Sequence, residues 1–109
     1  MSNTIKLNLG KKEMLAKGVF LNEICLDKSI PFNASYFEVQ PGCQTPLDYH
    51  EEQEIWIILR GHGTLHYNQI ISPLKENDII YFDSYVNHQV FNQSSEILMI
   101  YSFYWLNKR

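Results

Sequence analysis

Four side chains in the middle of the chain have the types and the spacing of a divalent metal site. Asp48 and His50 are two residues apart, so on one strand they point to the same side, and Glu54 keeps that parity. His88 follows later, after the apolar run DIIYF. Imidazole and carboxylate ligands together suit Mn, Fe, Ni, Co or Zn rather than Cu(I) or an iron–sulfur cluster. Two imidazoles with one or two of these carboxylates therefore predict a divalent metal ion as the cofactor.

Two of these ligands can meet only if the chain bends between them. On a straight strand His50 and Glu54 would lie about 13 Å apart at roughly 3.3 Å per residue, too far to share an ion. The polar residues 51–53 offer that bend. The spacing also fits one face of a helix, but Pro46 upstream and the segment EIWIIL downstream favour a strand.

Asp48 has alternative roles that the spacing leaves open. It is either a metal ligand, a group that orients His50, or a general base beside a metal with three ligands. Without a metal, His50, Glu54 and His88 would serve as proton carriers, and two neighbouring carboxylates would raise the pKa of one of them. A hydrogen-bonded polar network without chemistry is the remaining alternative.

Other side chains are candidates for the walls of the same site. Gln44 shares the parity of Asp48 and is expected at the pocket mouth, whereas Trp56 follows Glu54 by two residues and is expected inside. Half of the strand residues in a barrel point inward, so some tyrosines must face the cavity. We assign Tyr36 to the pocket, and Tyr101 with Asp48 to proton transfer.

The elements that must position these residues are short strands. Runs of Val, Ile, Tyr, Phe and Trp are separated by Gly, Pro, Asn and Asp, which predicts an all-β antiparallel sandwich or barrel. One stretch, residues 11–16, fits a helical turn. The predicted strands span residues 4–9, 18–26, 34–40, 44–50, 54–60, 63–68, 78–82, 88–92 and 97–105.

Length, charge and cysteine content exclude several classes of protein. The 109 residues are enough for one domain, and 45% apolar residues indicate a folded chain. A net charge of −3 argues against nucleic acid and against anionic membranes as partners. No apolar stretch is long enough to cross a membrane, and no secretory signal is visible. Cys25 and Cys43 are predicted to be buried free thiols in a reducing cytoplasm.

Two segments resemble the paired motifs of the cupin superfamily. In GCQTPLDYHEEQEIWIILRG, residues 42–61, the spacing of Gly42, His50, Glu54 and Gly61 fits the first motif, with Asp48 in place of its usual first His. In NDIIYFDSYVNHQVFN, residues 77–92, the positions of His88 and Asn92 fit the second. Asn77, Asp83 and Tyr85 replace the usual Gly, Pro and Gly of that second motif.

The resemblance implies a fold, a cofactor and an assembly. The fold is a small antiparallel β-barrel, or jelly roll, as a single domain over residues 1–109. Its barrel core would span residues 34–105, and residues 1–30 would supply N-terminal strands. The metal would lie inside the barrel, bound by His50, Glu54 and His88 with Asp48 as the fourth ligand. A homodimer is expected, in which residues 4–9 are the candidate for strand exchange.

The resemblance also implies a range of activities. The expected function is a metal-dependent enzyme of the dioxygenase, isomerase or epimerase, or lyase type that acts on a small polar metabolite. Asp48 would make the metal centre neutral and the bound ion a weaker Lewis acid. One alternative is a non-catalytic protein that binds a small molecule. The other is a metal-free isomerase or dehydratase that uses the same pocket for acid–base chemistry.

Overall fold

The computed structural model describes residues 6–106, which form nine strands and no helix. The strands are β1 (Leu9–Ala16), β2 (Val19–Ile24), β3 (Asn33–Val39), β4 (Gln53–Arg60), β5 (Gly63–Tyr67), β6 (Ile70–Leu74), β7 (Ile79–Phe82), β8 (His88–Phe91) and β9 (Leu98–Trp105). Accordingly, no helix in this part of the chain has the length and apolar character to cross a membrane.

The strands form two antiparallel sheets around one apolar core. The large sheet has the order β1-β2-β3-β9-β4-β7, and the small sheet has the order β6-β5-β8. Both sheets contribute to the core, which comprises Val19, Phe37, Val39, Trp56, Ile58, Leu65, Leu74, Phe82, Val90, Leu98 and Ile100. The predicted all-β antiparallel barrel is confirmed. Its topology places the middle of β4 in the large sheet opposite β8 in the small one.

Alternation along the two central strands determines which side chains enter the core. On β4, Trp56 and Ile58 are buried, whereas Ile57 between them is only half-buried. On β9, Leu98, Ile100 and Ser102 are buried. Each apolar side chain buried in this way stabilises the fold by about 1.5–3 kcal/mol. Polar residues of the same parity therefore face the interior at the end of the barrel where the apolar residues stop.

Two predicted elements differ from the structure near the site and at the N-terminus. Residues 44–50 form a connection with single bridges at Gln44 and Asp48 instead of a strand. Pro46 lies between the bridges and has no amide hydrogen to donate to a ladder. Residues 11–16 belong to β1, because pairing with β2 outweighs their weak helical pattern. Of predicted strand 4–9, residues 4 and 5 lie outside the described residues, and β1 begins only at Leu9.

One strand was absent from the prediction. β6 pairs with β5 through a tight turn in which Asn68 and Gln69 both have positive φ, 47° and 70°. Two consecutive residues of this kind form the hairpin turns that match strand twist. The usual signal for such a turn contains Gly, and Pro73 inside β6 further weakens the strand pattern.

The non-glycine residues of the second motif adopt the backbone conformation of the glycines they replace. Asn77 has φ 75°, as expected for a turn residue, and Tyr85 has φ 58°. This conformation costs a bulky residue about 1–2 kcal/mol. The Tyr85 amide donates to the His50 carbonyl oxygen at 2.7 Å, and its ring lies 5.6 Å from that of Tyr49. These contacts hold Tyr85 in place and tie the bend at His50 to the second motif.

Candidate metal centre

The structure brings Asp48, His50, Glu54 and His88 together at one end of the barrel. Each offers one ligand atom, and the four atoms all lie within 4.8 Å of one another. His50 Nε2 lies 3.1 Å from Glu54 Oε1, and His88 Nε2 lies 3.2 Å from the same oxygen. Asp48 Oδ2 lies 3.6 Å from both imidazole nitrogens. This arrangement of two nitrogens and two oxygens is a possible metal-binding cluster.

Backbone pairing brings the two motifs into register. Asp48 and His88 form a bridge in which each amide donates to the other's carbonyl oxygen, at 2.9 and 3.0 Å. The chain then bends at residues 51–52 before β4 begins at Gln53. The bend returns Glu54 towards His50, which removes the separation that a straight strand would impose. The bend predicted from the polar residues 51–53 is therefore present.

Hydrogen bonds at the far side of each imidazole orient its free nitrogen. His50 Nδ1 lies 2.9 Å from the Glu52 carbonyl oxygen, and His88 Nδ1 lies 3.0 Å from that of Val86. A carbonyl oxygen only accepts, so Nδ1 is the donor in both rings. In the neutral form each Nε2 then presents a lone pair to the centre of the cluster, which is how a histidine prepared to bind a metal is arranged.

The side-chain nitrogen of His88 is the clearest sign that a cation fits here. The His88 side chain is only 1% exposed, and its Nε2 has no hydrogen-bond partner among the described residues. Buried polar atoms without a partner are rare and call for an explanation. Here the lone pair of Nε2 and the Glu54 carboxylate face one another across 3.2 Å. A divalent cation between them would satisfy both, so the donor set fits a metal.

The two carboxylate oxygens of Glu54 have different contacts. Oε2 accepts hydrogen bonds from Trp56 Nε1, at 2.8 Å, and from the Ser102 hydroxyl. Oε1 faces the two histidines. Burial opposes the charged form most strongly, but His88 and these two donors together hold the pKa of Glu54 below its ordinary value. The metal-free alternative predicts that one carboxyl pKa is raised, but the pKa of Glu54 is lowered.

The pKa of His88 is shifted in the opposite direction from that of Glu54. Burial works to lower its pKa, but the nearby Glu54 and Asp48 carboxylates and the Val86 carbonyl oxygen raise the pKa of His88 above its ordinary value. Negative charge thus collects where the imidazole nitrogen points. The same potential that favours a proton on His88 favours a metal cation there.

A cavity of about 400 Å³ opens beside the four ligands. Besides the ligands, it is lined by Leu15, Leu21, Ser35, Phe37, Thr45, Pro46, Glu52, Trp56, Ser102 and Tyr104. Asp48 is 57% exposed and forms part of the open side. Trp56 lies in the lining, as its parity predicts. Gln44 is exposed, forms a single bridge to Phe91 and lies outside the lining, which corrects its placement at the pocket mouth.

Tyr36 and Tyr101 lie on the other face of the large sheet, which corrects their assignment to the pocket and to proton transfer. They are partners across β3 and β9, with ring centroids 5.4 Å apart, and Tyr36 donates to Glu38. The inward parity belongs to their neighbours in sequence, Ser35 and Ser102. Both faces of β9 are rich in apolar and aromatic residues, so the sequence does not distinguish them.

Ser102 and Tyr104 are site residues that the sequence did not single out. Ser102 supports Glu54, and Tyr104 donates its hydroxyl to the Glu23 carboxylate at 2.9 Å. Burial first, and then Glu23, raise the pKa of Tyr104, so its phenol stays protonated at neutral pH. The available signal was a single small polar residue in the apolar β9, but it has meaning only once the inward face is known.

The remaining histidines and the cysteines take no part in the cluster. His62 is exposed, and His66 packs its ring 4.5 Å from that of Phe91. Both cysteines are free thiols. Cys43 packs against the core, but Cys25 is exposed, which corrects the expectation that both are buried.

Comparison with known proteins agrees with this fold. The family profile of the cupin domain matches residues 35–104, which is more than half of the chain and includes all four clustered residues. The protein belongs to the cupin domain family.

Solved structures of this fold superimpose closely on the chain at low sequence identity. One is a predicted oxalate decarboxylase from Thermotoga maritima, with 22% identity, 94% of this chain and 95% of that chain covered, and a TM-score of 0.79. Another is a cupin 2 conserved barrel domain protein from Salinispora arenicola, with 27% identity, 90% and 81% coverage, and a TM-score of 0.75. The Cnp3 cupin domain of Schizosaccharomyces pombe gives 15% identity, 92% and 69% coverage, and a TM-score of 0.77.

Proposed function

We propose that this cupin is a metal-dependent enzyme that binds a divalent ion through Asp48, His50, Glu54 and His88 and acts on a small polar metabolite in the adjoining cavity. The observation that carries the proposal is the unpartnered, buried Nε2 of His88, which faces the Glu54 carboxylate. A cavity that opens directly onto the same four side chains supports access for a substrate.

The chain's own groups favour some kinds of chemistry over others. A bound Mn, Fe, Ni, Co or Zn ion would act as a Lewis acid on a substrate oxygen or as a site for oxygen chemistry. Asp48 and Glu54 would together neutralise its charge, which favours Mn or Fe(II) and weakens the capture of anions. Dioxygenase, isomerase or epimerase, and lyase reactions all remain within this proposal, because the fold does not select among them.

Asp48 Oδ2 faces both imidazole nitrogens, so we assign proton transfer to the other oxygen of the same carboxylate, Oδ1. The Ser102 hydroxyl is already bonded to Glu54, and the Tyr104 hydroxyl is bonded to Glu23. Asp48 is a carboxylate on the open side of the cluster, where a substrate would contact it. Because these hydroxyl groups are hydrogen-bonded within the protein, few groups are left for catalysis. This favours the second candidate, a cupin that binds its ligand without converting it.

Metal content tests the proposal. The protein would be purified without chelator, and its metal would be measured by mass spectrometry, alongside His88→Gln and the matched variant His62→Gln. We expect close to one metal ion per chain in the wild type and in His62→Gln, because His62 is exposed and is not part of the cluster. We expect a loss of at least about tenfold in affinity in His88→Gln. Circular dichroism would show that all three proteins fold.

The outcomes separate the candidate functions. Absence of metal from the wild type, even after reconstitution with Mn, Fe(II), Ni, Co and Zn, would refute the metal-dependent enzyme. Stoichiometric metal with no turnover of a broad set of small metabolites would instead favour the binding protein. Oxalate belongs in that set, since the Thermotoga maritima protein is described as a predicted oxalate decarboxylase.

A further inference from the structure

The charges around the cavity are almost all negative. Asp48, Glu52 and Glu54 line it, and Tyr104 in its wall is hydrogen-bonded to Glu23. Among residues 6–106, neither lysine nor arginine lines the cavity. In the same part of the chain, Glu52 and Glu23 form no ion pair with a lysine or arginine.

A bound divalent ion would leave part of this negative charge uncompensated. Asp48 and Glu54 would balance the two positive charges of the ion, whereas Glu52 and Glu23 would keep theirs. The Glu52 carboxylate lies 3.7 Å from His50 Nδ1, beside the cluster, and its side chain is 36% exposed. With the ion bound, the metal end of the cavity would be neutral and the wall next to it would stay acidic.

The rest of the lining is apolar and aromatic. Leu15 and Leu21 come from the N-terminal strands, and Phe37 and Trp56 pack edge to face with centroids 5.3 Å apart. Surfaces of this kind bind a hydrocarbon body, and the faces of aromatic rings attract organic cations. A volume of about 400 Å³ is at the lower end of the range for small-molecule pockets.

We propose that the ligand of this cavity is an organic cation, a small amine with an apolar or aromatic body, whose ammonium group pairs with Glu52. This inference rests on the proposed metal site, because it assumes that Asp48 and Glu54 are neutralised by the ion. Anions of the same size would meet uncompensated carboxylates and no positive side chain in the lining.

Binding of matched probes tests this inference. The metal-loaded protein would be titrated by calorimetry at pH 7 with benzylamine, benzyl alcohol and benzoate, which have similar size and carry positive, zero and negative charge. We expect benzylamine to bind at least about tenfold more tightly than benzoate, with benzyl alcohol between them, because the ammonium group is attracted to the carboxylates of the cavity and the benzoate carboxylate is repelled. Added salt should reduce the difference.

Two variants locate the charge responsible. Glu52→Gln removes the charge but keeps the backbone carbonyl oxygen that holds His50. Glu52→Gln should lower the ratio of the benzylamine affinity to the benzoate affinity several-fold, so that the two affinities differ by no more than about threefold. Glu38→Gln is the matched control, since Glu38 lies on the outer face beside Tyr36. This control should leave the ratio unchanged.

The results distinguish failure of this inference from failure of the proposed function. Metal-loaded protein that binds benzoate as tightly as benzylamine, or that binds none of the three probes, would overturn the organic cation while leaving the metal site in place. An unchanged ratio in Glu52→Gln would also overturn it. Protein that takes up no metal but still prefers benzylamine would refute the proposed enzyme and support the preference for cations.

Discussion

At the scale of single residues, the most informative arrangement is the support of Glu54. Its Oε2 is held by Trp56 and Ser102, so Oε1 is directed at the histidines without being free to rotate away. Groups that orient metal ligands in this way affect affinity for the ion even though they never touch it. Ser102 therefore acts as a positioning residue.

Replacement of Ser102 by alanine should weaken metal binding. The Ser102→Ala variant loses one of the two donors to Glu54 Oε2, so we expect the dissociation constant of the metal to rise about tenfold or more. Ser35→Ala is the control, because Ser35 is a buried serine in the same cavity lining. Competition with a chelating dye would measure both affinities. Equal affinities in the two variants would contradict the positioning role of Ser102.

The shifted pKa values of Glu54 and His88 predict how metal changes the pH dependence of stability. Without metal, the lowered pKa of Glu54 contributes stability that is fully present above the ordinary glutamate pKa of 4.5. This contribution is lost as the pH falls through the lowered pKa. The raised pKa of His88 contributes stability that is fully present below the ordinary histidine pKa of 6.5. This contribution is lost as the pH rises through the raised pKa. Chelated protein should therefore be most stable between these values, and its Tm should fall towards pH 8.

Metal-loaded protein should show the opposite trend above pH 6.5. Protons compete with the ion for His50 and His88, so stabilisation by the metal grows as pH rises. Thermal unfolding at a series of pH values, with chelator and with excess Mn²⁺, would compare the two forms. Parallel curves for both forms would argue against these histidines as ligands.

At the scale of elements, the turns position the strands. Two turns of the first motif contain a glycine, Gly42 and Gly61, and each needs it for a different reason. Gly42 has φ 78° but nothing within 4 Å of where a Cβ would lie. Gly61 has φ 94°, and a Cβ there would lie 2.7 Å from the Ile97 carbonyl oxygen. Gly42 is thus required only for backbone conformation, whereas Gly61 also permits the close approach of the segment leading into β9.

The two glycines should differ in their sensitivity to alanine. We expect Gly42→Ala to lower the free energy of unfolding by about 1–2 kcal/mol, the cost of a left-handed residue. Gly61→Ala should lower the free energy of unfolding by about 1–3 kcal/mol more than Gly42→Ala does, because the contact with Ile97 forces the backbone to shift. Urea unfolding followed by tryptophan fluorescence would measure both. A smaller effect at Gly61 than at Gly42 would show that β9 is free to move.

At the scale of the whole molecule, the outer face of the large sheet is unusually apolar. Ile79, Ile57 and Tyr101 are neighbours in register across β7, β4 and β9, and Ile79 is 70% exposed. Strands that are covered on both faces have nearly continuous apolar sequences, as β4 has from Ile55 to Leu59. A second copy of this chain would cover that face.

We expect a homodimer in solution, with a mass by light scattering of about twice 12.9 kDa. Ile79→Glu should give a monomer, because it places a charge on the apolar face in place of an exposed isoleucine. Ile71→Glu is the control, since Ile71 is similarly exposed but lies on the small sheet. A monomeric wild type would contradict the dimer. Exchange of residues 4–9 between copies remains a prediction, since that segment lies partly outside the described residues.

Much of the fold and of the candidate site was accessible from the sequence because both depend on local patterns. Strand alternation placed Glu54 and Trp56 on one face, and the polar residues 51–53 indicated the bend. Errors arose where a local pattern is ambiguous. Residues 11–16 are weakly helical by themselves and are held in β1 by pairing with β2, and β6 begins after a turn that contains no glycine.

The sequence by itself determined the ligand types, their parity and their resemblance to a family, since these depend only on residue order. Only the tertiary structure decided that Ser102, and not Tyr101, faces the cavity. Both faces of β9 carry apolar and aromatic side chains, so local hydrophobicity does not identify the inward face, and the choice depends on packing against β3 and β4. The unpartnered Nε2 of His88 is likewise a property of the folded chain, because it arises where two distant segments meet.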